Sequence, residues 1–456
     1  MSNKNFCILP FIHLATTTEG HCRLCCKVSK HDVICDDDGN PFNVNKHTIN
    51  EIWNSNHYTQ LRQRVLNDER LPECKICWTE EETFYSAWNR DHSKELPSKR
   101  RKENQKWLHK ENKLSEPVRE LVENPRIRYY DIRLSNLCNL KCRMCWPHFS
   151  SQIVKEQQQF ADKGLPTHYK NYEVAEWDTK RLWESLHTGI ADIEEITFVG
   201  GEPTLHDEMY ELAEQLIETG HAQRIRFKLT SNLTNIQSRF LKLFKYFHSV
   251  EINGSIDGVN NTNDYIRYPS NWATIERNID LILETNAVLN LTPVIQIYNI
   301  FKIDELIKWY INKWIEKELC DKFILDLDLL YDPNYLSVKL LNTHGKETWY
   351  WNVYTPTIEY LDSIIKNIEI QTEKVQHHWR VLDTLRTRLV NIALYTEAIG
   401  YNKDGKLQYW FAKSNDKNIK VLRKQCVDYT NQLDSHRKQS VYDIIPNFNE
   451  IINDNT

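Results

Sequence analysis

Between residues 129 and 331 the chain alternates short strand patterns with amphipathic helical ones, and this alternation restricts the fold more than any other feature. The strand patterns are YYDIRLS (129–135), EITFVG (195–200), RIRFKLT (224–230), VEINGSID (250–257), LTPVIQIY (291–298) and FILDLDLLY (323–331). Helical stretches such as DEMYELAEQLIETG (207–220) and NWATIERNIDLILET (271–285) lie between them. Six strands joined through helices predict a parallel α/β sheet or an open partial barrel over 129–335. Residues 336–456 read as a helical C-terminal region, in which 372–400 is the longest helical pattern and Gly400 a plausible stop. Residues 1–95 are rich in cysteine and poor in strand signals, and 96–128 read as a polar linker.

Charge excludes some functions. Lys and Arg number 58 against 63 Asp and Glu, a formal −5, so the chain lacks the dominant basic surface of a nucleic-acid binder. The basic stretch SKRRKENQKWLHKENK (98–113) reads as a solvated linker face. With 14 Trp and 22 Tyr there is ample material for a large interior, which argues against disorder. No apolar run reaches the ~18 residues that span a bilayer, and the start has no secretory pattern, so a cytoplasmic protein without a membrane partner is expected.

Ten of the twelve cysteines fall in the first third of the chain. In a reducing cytosol such clusters serve metals or redox chemistry more often than disulfides. The first strand runs into SNLCNLKCRMCWP, which spaces Cys138, Cys142 and Cys145 as CxxxCxxC on a loop. Three thiolates can hold three corners of a [4Fe–4S] cube and leave one iron open, whereas a structural zinc needs a fourth ligand, for example His148. A second set joins Cys7 and Cys25 to the CxxC pair Cys74 and Cys77. Four thiolates would fill a cube completely or hold a structural zinc, and Cys22, Cys26 and Cys35 lie close enough in sequence to compete as ligands.

The loop of Cys138, Cys142 and Cys145 resembles the CxxxCxΦC signature of the radical SAM superfamily, with Met144 at the usually aromatic position. ITFVGGEPTL resembles that family's GGEP motif. The resemblance covers roughly 129–331 and implies a partial (β/α)6 TIM-like barrel, S-adenosylmethionine (SAM) as cofactor, and an external one-electron reductant. It implies that Gly200 and Gly201 let the backbone approach closely and that Glu202 meets the SAM amino group. Ser255, Asp257, Arg267 and Asn299, at or after strand ends, become candidates for the SAM carboxylate, ribose or adenine. Cys7, then Gly20 and Cys25, with Cys74 and Cys77 downstream, resembles the CX9–15GX4C…CxxC pattern of SPASM/Twitch domains. That implies an auxiliary [4Fe–4S] cluster in a small Twitch-like domain placed before the barrel, where most relatives carry it after.

Alternation along the strands assigns Asp131, Arg133, Ser135, Arg226, Lys228, Thr230, Glu251, Asn253, Ser255, Asp326 and Asp328 to the barrel interior. Such a lining suits a wet cavity for SAM and a polar substrate, with Asp131 and Arg133 a potential pair. The implied activity is reductive cleavage of SAM to a 5′-deoxyadenosyl radical, which takes a hydrogen from a peptide or small polar substrate. The auxiliary cluster points to an oxidation or a cross-link, and Asp326, Asp328 or Lys228 offers a general base. The alternative is a non-catalytic iron–sulfur or zinc-binding redox sensor, which would have no use for the Gly200–Glu202 clamp.

Overall fold

The computed structural model describes residues 5–29, 32–79, 118–169, 189–316, 322–367, 373–402, 406–409 and 417–453, with a few single positions between these runs. Most of the stretch 98–113, and Cys320, lie outside the described residues. The chain divides into two compact units that interleave in sequence: 1–139, 146–230 and 237–250 form one, and 140–145, 231–236 and 251–456 the other. Among the described residues no helix is long and apolar enough to cross a membrane.

In the first unit the strands β1 (His13–Thr16), β2 (Cys22–Arg23), β3 (Tyr129–Arg133), β4 (Glu195–Val199) and β5 (Arg226–Ser231) lie in the order β2-β1-β3-β4-β5. β3, β4 and β5 run parallel, in the register Tyr129↔Glu195↔Arg226. Their outer face is apolar: Phe198, Phe227, Phe240 and Phe247 form a chain of rings with centroids 4.9–6.3 Å apart. Two helices on this unit carry start signals in the sequence, one a side-chain cap and the other acidic residues in the first turn. Ser150 accepts from Ile153 N–H to start Ser151–Asp162, and Asp207 with Glu208 places negative charge at the start of Asp207–Glu218.

β1 is the strand that the pattern did not announce. HLAT is too short to display an alternation, yet it pairs in parallel with β3, His13 opposite Tyr129. Tertiary bonds hold it there. Arg133 N–H donates to Thr16 Oγ1 at 2.8 Å, the Tyr58 hydroxyl donates to His13 O at 2.8 Å, and Arg62 Nε donates to Pro10 O at 2.9 Å.

In the second unit β6 (Ser249–Gly254), β7 (Val288–Leu291) and β9 (Phe323–Leu325) run parallel in the order β6-β7-β9. β8 (Val294–Ile295) and β10 (Asp328–Leu329) form a separate parallel pair. The single strands expected at 291–298 and 323–331 are therefore each broken in two. Pro293 supplies the reason at the first break: it has no N–H for a ladder bond, so the run leaves β7 and resumes at Val294. The second run follows suit, because Leu327 separates the residues that pair with β7 from those that pair with β8.

Beyond residue 336 the unit is mostly helical, as expected, with Thr355–Asn367, Glu373–Tyr395 and Lys417–Arg437 its longest helices. Helix Glu373–Tyr395 stops before the expected Gly400. Glu397 adopts φ 59° and Ala398 N–H donates to Ala393 O, a left-handed C-terminal turn made without glycine. Gly400 instead sits in β11 (Ile399–Tyr401), hairpinned to β12 (Leu407–Tyr409).

Candidate active site

Cys7, Cys25, Cys74 and Cys77, up to 70 residues apart in sequence, line one cavity of the first unit. Different short elements deliver each thiol. Cys7 precedes the turn Leu9–Ile12, and Cys25 begins a tight turn in which Val28 N–H returns to Cys25 O. Cys74 ends the 3-10 turn Pro72–Cys74, and Cys77 follows one turn later. Leu9, Pro10, Leu24, Val65, Leu71 and Trp78 supply apolar walls, and Trp78 is anchored by its Nε1–H to Leu71 O at 2.8 Å. Glu69, on the same wall, is taken by Arg64 at 2.7 Å. Burial pushes the Cys25 thiol well up, and Cys26, Cys7 and Cys74 add to the effect. A soft, all-sulfur donor set in an apolar pocket that resists ionisation suits a cationic iron–sulfur core, whose charge would offset that resistance.

The remaining N-terminal cysteines stand elsewhere. Cys22 is fully buried on β2, its thiol pushed up to about 12 by burial, and Cys35 hydrogen-bonds to Val33 O near the surface. Cys26 adjoins Cys25 but is not among the residues lining the cavity. Among the described residues no three His, Cys, Asp or Glu side chains converge as a site for a metal ion.

The glycine motif lies against the loop that leads to Cys138. Gly201 N–H donates to Ser135 O at 3.1 Å and Glu202 N–H to Leu137 O at 2.8 Å. A Cβ on Gly201 would stand 2.1 Å from Leu137 O, and Gly200 has φ 122° with Ser135 O 3.0 Å from its Cβ position. Both positions thus require glycine. Glu202 is buried and accepts from Thr204 N–H at 3.2 Å and Thr204 Oγ at 2.7 Å. Ser135 Oγ meets His206 Nε2 at 3.2 Å, and burial lowers the affinity of His206 for a proton. Cys138 is buried, with its N–H to Ser151 Oγ at 3.3 Å, so the start of helix Ser151–Asp162 braces the loop.

Cys142 and Cys145 belong to the second unit, where Cys145 N–H returns to Cys142 O at 3.1 Å. Burial raises the Cys142 thiol, Arg267 draws it down, Asp257 pushes it up and Arg437 draws it down. Arg267 Nε lies 2.7 Å from Asp257 Oδ2 in a buried ion pair. The other Asp257 oxygen accepts from Val294 N–H at 2.9 Å. Asn299 donates to Asp257 O and Val294 O, both at 2.9 Å, and accepts from Gln296 N–H at 2.8 Å. Asp257 and Asn299 therefore brace the strand ends with the groups that were expected to reach SAM. Ser255 is half-buried beside them, with its N–H on Ser231 O at 2.8 Å.

The polar strand faces form local pairs. Asp131 and Arg133 meet at 2.6 Å. Glu195, buried on β4, meets Lys106, Arg226 at 2.8 Å and Lys228 at 3.7 Å. Asp326 pairs with Arg388 at 2.6 Å and Asp328 is exposed at the start of β10. Of the three general-base candidates, Lys228 and Asp326 thus have ionic partners and Asp328 faces solvent. The sequence reading missed Thr204, His206 and Arg437. The first two follow directly on GGEP, whereas nothing around Arg437 marks it.

Residues 132–310 match the profile of the radical SAM superfamily, and residues 7–78 match the SPASM iron–sulfur cluster-binding domain. No curated protein matches the chain. Similar solved structures include native anSMEcpe with bound AdoMet, 20% identical with a TM-score of 0.36 over 51% of this chain and 60% of that one. Streptococcus suis SuiB bound to S-adenosylmethionine is 15% identical, with a TM-score of 0.36 over 63% of this chain and 60% of that one. The methyltransferase TsrM of Kitasatospora setae, with cobalamin and a [4Fe–4S] cluster bound, is 10% identical with a TM-score of 0.29, covering 42% and 32%. The chain thus spans less than two thirds of the length of each. The chain therefore carries a radical SAM domain and, ahead of it in sequence, a SPASM iron–sulfur cluster-binding domain.

Proposed function

We propose that the chain is a radical SAM oxidoreductase that abstracts a hydrogen atom from a peptide or small polar substrate and passes the remaining electron to an auxiliary cluster. The observation that carries this reading is that Cys7, Cys25, Cys74 and Cys77 all line one apolar cavity in a chain that also holds the CxxxCxxC loop. Cys138, Cys142 and Cys145 would hold the cluster with an open iron, and the four N-terminal thiols the saturated one. When bound and reduced by an external one-electron donor, the first cluster supplies the electron that splits SAM.

The chain's own residues then do the positioning. Gly200 and Gly201 bring backbone against the 135–137 loop, and Glu202, kept in place by Thr204, is the acceptor for the SAM amino group. Arg267 offers positive charge for the carboxylate, while Asp257 and Asn299 keep the strand ends in shape. Ser255 is the remaining candidate for the ribose. We assign 1–95 to the auxiliary domain, 129–335 to the core and 336–456 to a helical region.

Anaerobic incubation of the reconstituted chain with SAM and dithionite tests the reading. 5′-Deoxyadenosine should form well above a Cys138→Ala control. Equal amounts in the two would leave the non-catalytic redox sensor as the better account.

A further inference from the structure

Arg143 stands between two of the candidate ligands, Cys142 and Cys145, and is fully buried. The loop is laid along residues 266–268: Arg143 N–H donates to Ile266 O at 2.9 Å and Lys141 N–H to Tyr268 O at 2.7 Å. The guanidinium lies 3.6 Å from the centre of the Tyr265 ring, and its Nε donates to Tyr265 O at 3.0 Å. Nη2 donates to Asp434 Oδ1 at 2.5 Å and to Gln439 Oε1 at 2.9 Å. Asp434 is itself held, accepting from the Tyr265 hydroxyl at 2.9 Å and from Val441 N–H at 2.7 Å. The Tyr429 hydroxyl donates to Arg143 O at 2.6 Å, so both the side chain and the main chain of this one residue are clamped.

Asp434 and Tyr429 belong to the helix Lys417–Arg437, and Gln439 follows it. The same helix ends at Arg437, which is buried. These residues lie more than a hundred positions beyond the superfamily match at 132–310. A buried guanidinium is costly unless charged and neutral partners surround it. Here Tyr265 supplies a ring and a carbonyl, while the charged partner, Asp434, and Gln439 come from a segment with no other assigned task. The planar fork of an arginine, bonded on two sides and stacked on a ring, fixes orientation in a way a lysine cannot.

We propose that Arg143 is a positioning residue for the open-iron cluster, and that helix Lys417–Arg437 is a working part of that site because Asp434, Gln439 and Tyr429 fix the loop between Cys142 and Cys145. The proposal rests on the reading that these two thiols are cluster ligands. The helix thereby sets where the sulfurs stand.

Full-length, anaerobically reconstituted protein tests this with Tyr429→Phe, Asp434→Asn and, as control, Val421→Ala at a position 66% exposed on the same helix. The readouts are iron and sulfide content, equilibrium SAM binding, and the electron paramagnetic resonance spectrum of reduced protein with and without SAM. Only a cluster with an open iron responds to SAM, so the difference spectrum reports this site and not the auxiliary one. We expect Tyr429→Phe and Asp434→Asn to retain iron, to bind SAM about tenfold more weakly, and to show an altered difference spectrum, since small misplacements near a reacting centre carry large penalties. Val421→Ala should match wild type. Variants that keep iron, SAM affinity and difference spectrum unchanged overturn the proposal even if their melting temperature falls, because a merely structural clamp predicts that result. If Asp434→Asn does not fold, Tyr429→Phe, which removes one hydroxyl and no charge, decides alone. A wild-type protein without any SAM-dependent spectral change overturns the underlying cluster reading, and this inference with it.

Discussion

Gly201 is the residue at which the candidate site tolerates least. Its missing side chain lets Glu202 N–H reach Leu137 O, and a methyl group there would sit 2.1 Å from that same carbonyl. The obstacle is backbone, so rotamer changes cannot relieve it. Overpacking of this kind costs about 2 kcal/mol or more, and Gly201→Ala should lower the melting temperature by about 4–8 °C. Gly189→Ala is the comparison, since its Cβ would meet only Tyr130 Oη at 3.7 Å. Equal melting temperatures for the two variants would show that the glycine is not needed for close approach. The GGEP spacing marked this position in the sequence. The bonds that occupy Asp257 and Asn299 were not legible, because whether a polar side chain faces a ligand or its own backbone depends on where the neighbouring loop runs.

At the scale of the element, β4 and β5 are joined on their polar face by charge. Burial alone would push the Glu195 carboxyl up, but Lys106, Lys228 and Arg226 overcome it and hold it at about 2. An unfolded glutamate titrates near 4.3, so the stabilisation is fully present above that value and is lost as the pH falls toward 2. Glu195→Gln should therefore destabilise the protein by about 2–4 kcal/mol at pH 7, since Lys106, Lys228 and Arg226 lose the buried carboxylate they share. The difference in melting temperature between wild type and variant should shrink steadily from pH 4.5 downward. A difference independent of pH over that window would mean that the carboxylate's charge contributes nothing. The strand pattern itself placed Arg226 and Lys228 on the face opposite Phe227 and Leu229, because alternation is a local property. Glu195 as their partner was invisible, since it lies 31 residues away from Arg226.

At the scale of the molecule, the proposed function gives the chain two stations for iron, the four N-terminal thiols and the CxxxCxxC loop, which would serve different ends. Reconstituted wild type should hold about eight iron atoms per chain, and Cys74→Ala/Cys77→Ala about four. The double variant should still cleave SAM yet form no product, because radical generation needs the open-iron cluster alone. Circular dichroism should first establish that it folds, given that small metal-dependent modules can lose structure with the metal. Product formed at the wild-type rate by a folded variant lacking the auxiliary cluster would falsify the electron-conduit role and leave a structural one.

Short-range chemistry was written plainly in the chain. The CxxxCxxC loop, the GGEP turn, the CxxC pair and the strand–helix alternation are contiguous motifs, and each follows from spacing that a few residues enforce by themselves. Only the tertiary structure decided which of the seven N-terminal cysteines share a cavity, that HLAT is a strand, and that Glu397 rather than Gly400 ends a long helix. It alone brought Asp434 to Arg143 across 291 positions. The physical reason is common to all of these: a contact between distant segments is selected by the packing of everything between them, and no local pattern records it.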